Sequence, residues 1–174
     1  LIMSAKVSNI EISSFLVALS SKGIVHNELV SAVKVLRAKC IKIKTKGTIV
    51  DTCGTGGDKK HTLNISTATA IFAAACGVQV AKHGNKSVSS NSGSSDVLEK
   101  LGVNINAPKN KVEKCLENSK SCFLMAPLYH RAMKNVAEVR SKLKIPTIFN
   151  LLGPLLNPAN ANVQLIGVYA YELM

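Results

Sequence analysis

Five consecutive residues, Gly54-Thr55-Gly56-Gly57-Asp58, follow a short apolar run and carry the first chemical signal in the chain. Three glycines let a backbone approach a ligand closely and aim N–H groups at it. No Gly-Lys-Ser/Thr ends the run, so it is not a P-loop. Lys59 stands where a dinucleotide-binding GxGxxG needs its last glycine. Alone, the run reads equally as a tight strand-to-helix turn. A second segment, Asn64-Ile65-Ser66-Thr67, opens an Ala-rich helix. Free N–H groups, hydroxyls and the positive end of the helix dipole suit an anion there, although an ordinary Ser or Thr cap has the same composition.

A third segment is Lys82-His83-Gly84-Asn85, expected at the carboxyl end of the next strand. Ligands bind at that end of open α/β sheets, and a lysine there is a natural phosphate partner. The serine-rich stretch that follows adds hydroxyls, or is a plain polar loop. The fourth is His130 with Arg140, just under three helical turns apart on one predicted helix, so that both could share a face. Asn150, Gly153-Pro154 and Asn157-Pro158 come after them. Arginine matches a planar carboxylate with two parallel hydrogen bonds; a histidine on a helix is more often structural. No Ser/His/Asp set, metal-type His/Cys cluster or close carboxylate pair is apparent. The chemistry these residues suit is positioning of a polyanion and stabilisation of developing charge.

The elements that must position these residues alternate. Ser8-x-x-Glu11 has capping-box spacing, and Ile12, Phe15, Leu16 and Leu19 follow at helical period up to Gly23. A second helix starts at Asn27 and ends near Cys40. The pair reads as a small helical unit over 1–46. From 47 to 174 strands are expected at 48–51, 78–81, 122–125 and 163–169. Helices are expected at 66–75, 96–101 and 111–117, with one running from Pro127 to about Leu143. Strands alternating with helices predict an α/β domain with a mostly parallel sheet.

Composition limits the partners. The 174 residues are 47% hydrophobic and 18% charged, which suits a folded chain. No run approaches the ~18 apolar residues of a membrane span, and the first residues lack the basic-then-apolar pattern of a secretory leader. The five cysteines, Cys40, Cys53, Cys76, Cys115 and Cys122, contain no CxxC pair; reduced thiols in a cytoplasmic protein are the expectation. The net charge of +12 points to an anionic partner. Residues 1–50 hold seven lysines and Arg37 against Glu11 and Glu28, a net +6, with Lys39, Lys42, Lys44 and Lys46 close together. No aromatic residue lies among those lysines, so single strands would find no stacking platform.

Taken together, DTCGTGGD (51–58), TLNISTATA (62–70), VAKHGNKSVSSNSGSSDVLEKLG (80–102), FLMAPLYHRAMKNVAEVR (123–140) and TIFNLLGPLLNPAN (147–160) resemble the anthranilate phosphoribosyltransferase family. The resemblance covers nearly the whole chain, and its five motifs fall in order. It implies a helical subdomain on a nucleoside phosphorylase/phosphoribosyltransferase-like α/β domain, homodimeric through the helical part. It also implies transfer of the phosphoribosyl group of phosphoribosyl pyrophosphate to anthranilate, with Mg2+, in tryptophan synthesis.

By motif position, Gly54, Gly57, Asp58, Thr62, Asn64, Ile65, Ser66 and Thr67 would cradle the pyrophosphate, Ser66 as a metal ligand. Lys82, His83, Gly84, Asn85, Lys86, Ser87, Val88, Ser89, Ser90 and Ser94 would bind the rest of that substrate. Gly54, Asn85, His130, Arg140, Gly153 and Pro154 would line the anthranilate side, Arg140 meeting the carboxylate. No protein nucleophile is implied; Lys82 and Arg140 carry most weight. Lys59 replaces a usual glycine and Arg131 a usual proline. The family's chains are about double this length, and the further half normally carries an Asp-Glu pair for magnesium. Two alternatives share the fold: a non-enzymatic nucleic-acid binder, motivated by the charge, and a pyrimidine nucleoside phosphorylase, whose lysine-serine signature differs from KHGN.

Overall fold

A computed structural model describes residues 1–56, 63–86, 93–168 and 170–173. In chain order the elements are α1 (Asn9–Lys22), α2 (His26–Lys39), β1 (Val50–Asp51), α3 (Ile65–Ala75), β2 (Val80–Gly84) and α4 (Ser94–Lys100). They continue with α5 (Lys109–Ser119), β3 (Ser121–Met125), α6 (Ala126–Tyr129), α7 (Lys134–Leu143), α8 (Ile148–Leu152) and β4 (Val163–Gln164). Among the described residues the four strands form one parallel sheet in the order β3-β2-β1-β4. The fold class read from the alternating pattern is the one observed.

The capping box forms as spaced. Ser8 Oγ accepts from Glu11 N at 3.3 Å, and Glu11 accepts from Ser8 N at 2.7 Å. The apolar face of α1 buries Ile12, Leu16 and Leu19. These join Leu36 of α2, Val136 and Val139 of α7, and Ile148, Leu152 and Leu156 in one core. The helical unit is thus not closed on itself: α1 and α2 bury their apolar faces against α7 and α8. Removing the cap hydroxyl in Ser8→Ala leaves one first-turn N–H without its acceptor. We expect a loss of about 1 kcal/mol in urea denaturation, with no change in ligand binding.

The second core lies under the sheet and packs Ile43, Ile49, Ala81, Leu124 and Tyr129 with Val112 and Leu116 of α5. The limits of β1, β2 and β4 differ from expectation, for identifiable reasons. β1 is shortened because Asn162 Oδ1, a side-chain atom, takes the Ile49 N–H at 3.1 Å. β2 runs further than expected because β3 stays paired with it from Val80↔Ser121 to Gly84↔Met125. β4 stops after two residues because its partner β1 stops there. Beyond it the Gly167 carbonyl accepts from Thr55 N at 2.9 Å.

The expected single helix over 127–143 is broken. The Tyr129 carbonyl accepts from Ile41 N at 2.9 Å, which removes it from a helical ladder. His130 then adopts φ −111°, ψ 60°, and a 3-10 turn over Arg131–Met133 precedes α7. His130 and Arg140 therefore do not share one helix. The short helix α8 has no clear sequence signature, because its Thr147/Asn150 capping box lacks the usual acidic residue. Among the described residues no helix is long and apolar enough to cross a membrane. All five cysteines are free.

Candidate functional site

Three of the segments singled out in the sequence meet at the carboxyl ends of β1 and β2. Lys82 sits in the middle of β2 rather than at its carboxyl end, and the residue is 2% exposed. Its Nζ donates to Ser66 Oγ at 3.0 Å and lies 3.4 Å from the Thr52 carbonyl oxygen. Thr52 Oγ1 donates to the Ser66 carbonyl at 2.8 Å. One ammonium group is thus tied both to the strand-to-loop junction of β1 and to the first turn of α3. Burial pulls the Lys82 pKa below its usual value.

The α3 start is capped by Asn64, not by a hydroxyl. Asn64 Oδ1 accepts from Thr67 N at 3.2 Å, Thr67 Oγ1 at 2.8 Å and Ser66 Oγ at 3.3 Å. Ser66 and Thr67 therefore spend their protons on the cap. Ile65 is exposed, whereas Thr67 is buried. Gly54 is required where it stands: a Cβ there would lie 2.9 Å from the Gly167 carbonyl oxygen. Gly84 is required for packing, since a Cβ would lie 2.8 Å from the Phe123 ring and 3.3 Å from Ser94 Cβ.

Asp51, at the end of β1, is fully buried. Its Oδ1 accepts from His83 N at 3.1 Å, which fixes the backbone beside Lys82, while Oδ2 has no hydrogen-bond partner among the described residues. Burial raises its pKa. Asn157 supports the same strand: Nδ2 donates to the Ala81 carbonyl at 2.7 Å and Oδ1 accepts from Ala159 N at 2.8 Å. Cys53 is held as a neutral thiol, its pKa pushed up to about 12 by burial.

The histidines connect this cluster to the later segments. His83 Nδ1 lies 3.0 Å from the Gly153 carbonyl, so the Nδ1–H tautomer donates there. The His83 and His130 rings meet edge to face, with centroids 5.2 Å apart. Cys40 Sγ lies 3.9 Å from His130 Nε2. Burial lowers both imidazole pKa values to about 4, and each histidine's near neighbour in charge, Lys82 for His83 and His83 for His130, adds to this. Pro154 is buried beside Gly153 in a 3-10 turn over Gly153–Leu155.

Arg140 lies in the last turn of α7. Its guanidinium carbon sits 5.4 Å from the Phe149 ring centroid and makes no ion pair with a described residue. Asn85 and Lys86 are exposed where the chain leaves β2, and Ser94 begins α4. Gly57, Asp58 and Thr62, and likewise Ser87, Val88, Ser89 and Ser90, fall outside the described residues. Sequence reasoning missed the parts that Thr52, Asp51 and Phe149 play here. Asp51 alone had a signal, an acid closing an apolar strand.

The residues present fit a magnesium ion carried by a polyphosphate. Among the described residues no group of three or more His, Cys, Asp or Glu could hold a metal by itself. Ser66 Oγ keeps a lone pair after accepting from Lys82, enough for one oxygen ligand. Mg2+ is commonly held by one or two protein oxygens and completed by substrate phosphates and water.

Residues 46–174 match the glycosyl transferase family, a/b domain, and residues 1–40 match the glycosyl transferase family, helical bundle domain. The chain is 52% identical to the curated anthranilate phosphoribosyltransferase of Clostridium kluyveri, over 99% of this chain and 52% of that one. It is also 52% identical to that of Petrotoga mobilis, over 100% of this chain and 51% of that one. The chain thus spans about half the length of the curated relatives it matches. Among solved structures, it is similar to anthranilate phosphoribosyltransferase from Thermus thermophilus, with a TM-score of 0.92 and 42% identity. That match covers 98% of this chain and 52% of the other. The Saccharomyces cerevisiae enzyme in complex with PRPP and Mg matches with a TM-score of 0.87 and 37% identity, over 95% of this chain and 47% of that one.

Proposed function

Since this chain belongs to the glycosyl transferase family defined by those helical bundle and a/b domains, we propose that it serves in phosphoribosyl transfer from phosphoribosyl pyrophosphate to anthranilate. The bond from ribose C1 to the pyrophosphate oxygen breaks, a bond from C1 to the anthranilate nitrogen forms, and that nitrogen loses a proton. The products are N-(5′-phosphoribosyl)anthranilate and pyrophosphate. The observation that carries this reading is the convergence of Lys82, Ser66 and Thr52. It puts a buried cation between the first turn of α3 and the end of β1 that leads into the glycine-rich segment, which is what a departing pyrophosphate requires.

In this reading Gly54, Asn64, Ile65, Ser66, Thr67 and Lys82 hold the pyrophosphate end, together with Gly57, Asp58 and Thr62. His83, Gly84, Asn85, Lys86 and the serines through Ser94 take the phosphoribosyl part. Asn85, His130, Arg140, Gly153 and Pro154 face the acceptor. Ser66 gives one ligand to Mg2+, which when bound neutralises charge on the leaving group. Arg140, with no acidic partner among the described residues, offers its fork to the anthranilate carboxylate. Arg140→Gln should therefore weaken anthranilate about tenfold, on the order of 1.5 kcal/mol, and leave phosphoribosyl pyrophosphate unchanged. Calorimetric titration with each substrate reads this directly, and equal losses for both would contradict the role.

The assembly proposed is a homodimer through the helical part, 1–46, with 47–174 as the catalytic unit. The exposed side chains of Ile10, Phe15, Val17 and Val35 on α1 and α2 support such an interface. Free cysteines suit a cytoplasmic setting. The +12 charge is accounted for by anionic substrates rather than nucleic acid. The test is loss of anthranilate fluorescence on mixing the chain with phosphoribosyl pyrophosphate and Mg2+. Turnover that falls in Arg140→Gln at low anthranilate supports the reading, and a folded chain that neither turns over nor binds either substrate overturns it.

A further inference from the structure

We propose that Phe149 is a positioning residue that presents the Arg140 guanidinium to the acceptor carboxylate. The inference rests on the reading of Arg140 given above and extends it to the residue that the guanidinium packs against. The guanidinium carbon lies 5.4 Å from the Phe149 ring centroid, within range of a cation–π contact. An aromatic face attracts the cation through its quadrupole and takes none of its N–H donors. A carboxylate partner would occupy the fork that a substrate needs. The Arg140 side chain makes no hydrogen bond or ion pair with a described residue, so among those residues the ring contact is what locates its guanidinium.

The ring itself is well placed to act as a stop. Phe149 lies in α8 between the buried side chains of Ile148 and Leu152, and packs on the core shared by α1, α2, α7 and α8. The start of α8 is fixed by Asn150 Oδ1, which accepts from Thr147 N at 2.9 Å and from Thr147 Oγ1 at 3.2 Å. Thr147 is 3% exposed, so that cap is shielded from water. Packing and capping thus hold Phe149, and Phe149 holds Arg140. A flexible arginine fixed before binding loses less rotamer entropy when the carboxylate arrives.

The experiment titrates the chain with anthranilate and, separately, with its uncharged carboxamide, using the parent, Phe149→Leu, Phe149→Met, Phe149→Tyr and Arg140→Gln. Thermal unfolding of each is recorded alongside. The expected result is an anthranilate affinity weakened about fivefold in the leucine and methionine variants. Affinity should be restored in the tyrosine variant, and binding of the carboxamide and of phosphoribosyl pyrophosphate should be unchanged. Leucine and methionine keep the apolar volume without the ring face, so one can serve if the other does not fold. Parent-like anthranilate binding by either while Arg140→Gln binds weakly overturns the positioning role and leaves the reading of Arg140 intact. Equal losses for anthranilate and the carboxamide also overturn it, since a packing defect does not distinguish the two. Parent-like binding by Arg140→Gln, or no anthranilate binding by the parent, overturns the reading of Arg140 and the inference with it.

Discussion

Lys82→Met is expected to weaken phosphoribosyl pyrophosphate binding by roughly 10- to 150-fold, on the order of 1.5–3 kcal/mol, while anthranilate binding stays within experimental error. The Lys82 ammonium is almost wholly withdrawn from water, and its hydrogen-bond partners among the described residues, Ser66 Oγ and the Thr52 carbonyl, are both neutral. Desolvation makes such a charge costly in the free chain, and its pKa is lowered accordingly. A phosphate brought alongside meets that cation in a weakly screening environment, where the attraction is larger than at a surface. Methionine keeps the length of the stem but carries no charge, so the packing of β2 survives. Lys82→Arg should not restore binding, because a planar guanidinium fork does not reproduce the compact ammonium held by the Thr52 carbonyl and Ser66 Oγ. Calorimetry with phosphoribosyl pyrophosphate and Mg2+ gives the comparison, and an unchanged affinity would remove Lys82 from the site.

Acidification is expected to destabilise the fold between pH 6.5 and about 4, by a few kcal/mol in total. The imidazoles of His83 and His130 have pKa values of about 4 in the folded chain, against an ordinary value of 6.5. Below 6.5 the unfolded chain takes up protons that the folded chain does not, so stability falls with pH across that window. Above 6.5 the contribution is fully present; below about 4 the loss is complete. A shift of that size corresponds to roughly 3 kcal/mol for one histidine. The two do not simply add, because His83 contributes to the depression at His130.

Competing groups act elsewhere or with the other sign. The carboxyls of Glu11, Glu28 and Glu138 have pKa values below 4.5, so their loss comes at lower pH. Asp51, whose pKa burial raises, favours the fold on protonation. Urea midpoints at neutral pH and near the folded histidine value of about 4 measure the net effect. The pH slope should flatten in His130→Asn, and a slope unaltered by that change would place the acid sensitivity in other groups.

What the sequence made legible follows local rules. The Ser8/Glu11 box and the alternation of strand and helix depend on neighbours a few residues apart, and both appear in the structure. The break at His130 could not be read that way. It depends on the Tyr129 carbonyl being taken by Ile41, whose amide lies far away in sequence. The same is true of Lys82: the chain suggested a lysine at the very end of a strand, and its burial comes from continued pairing of β2 with β3. Thr52 and Phe149 gave no signal, since a threonine after a strand and a phenylalanine among apolar residues are ordinary. Their roles exist only through Ser66 and Arg140, which the fold brings to them.

The most direct test of the account is calorimetric titration of the unmodified 174-residue chain with phosphoribosyl pyrophosphate, with and without Mg2+. The account predicts saturable binding at one site per chain, tightened by the metal. A chain that unfolds cooperatively yet takes up no phosphoribosyl pyrophosphate in the presence of Mg2+ would contradict it.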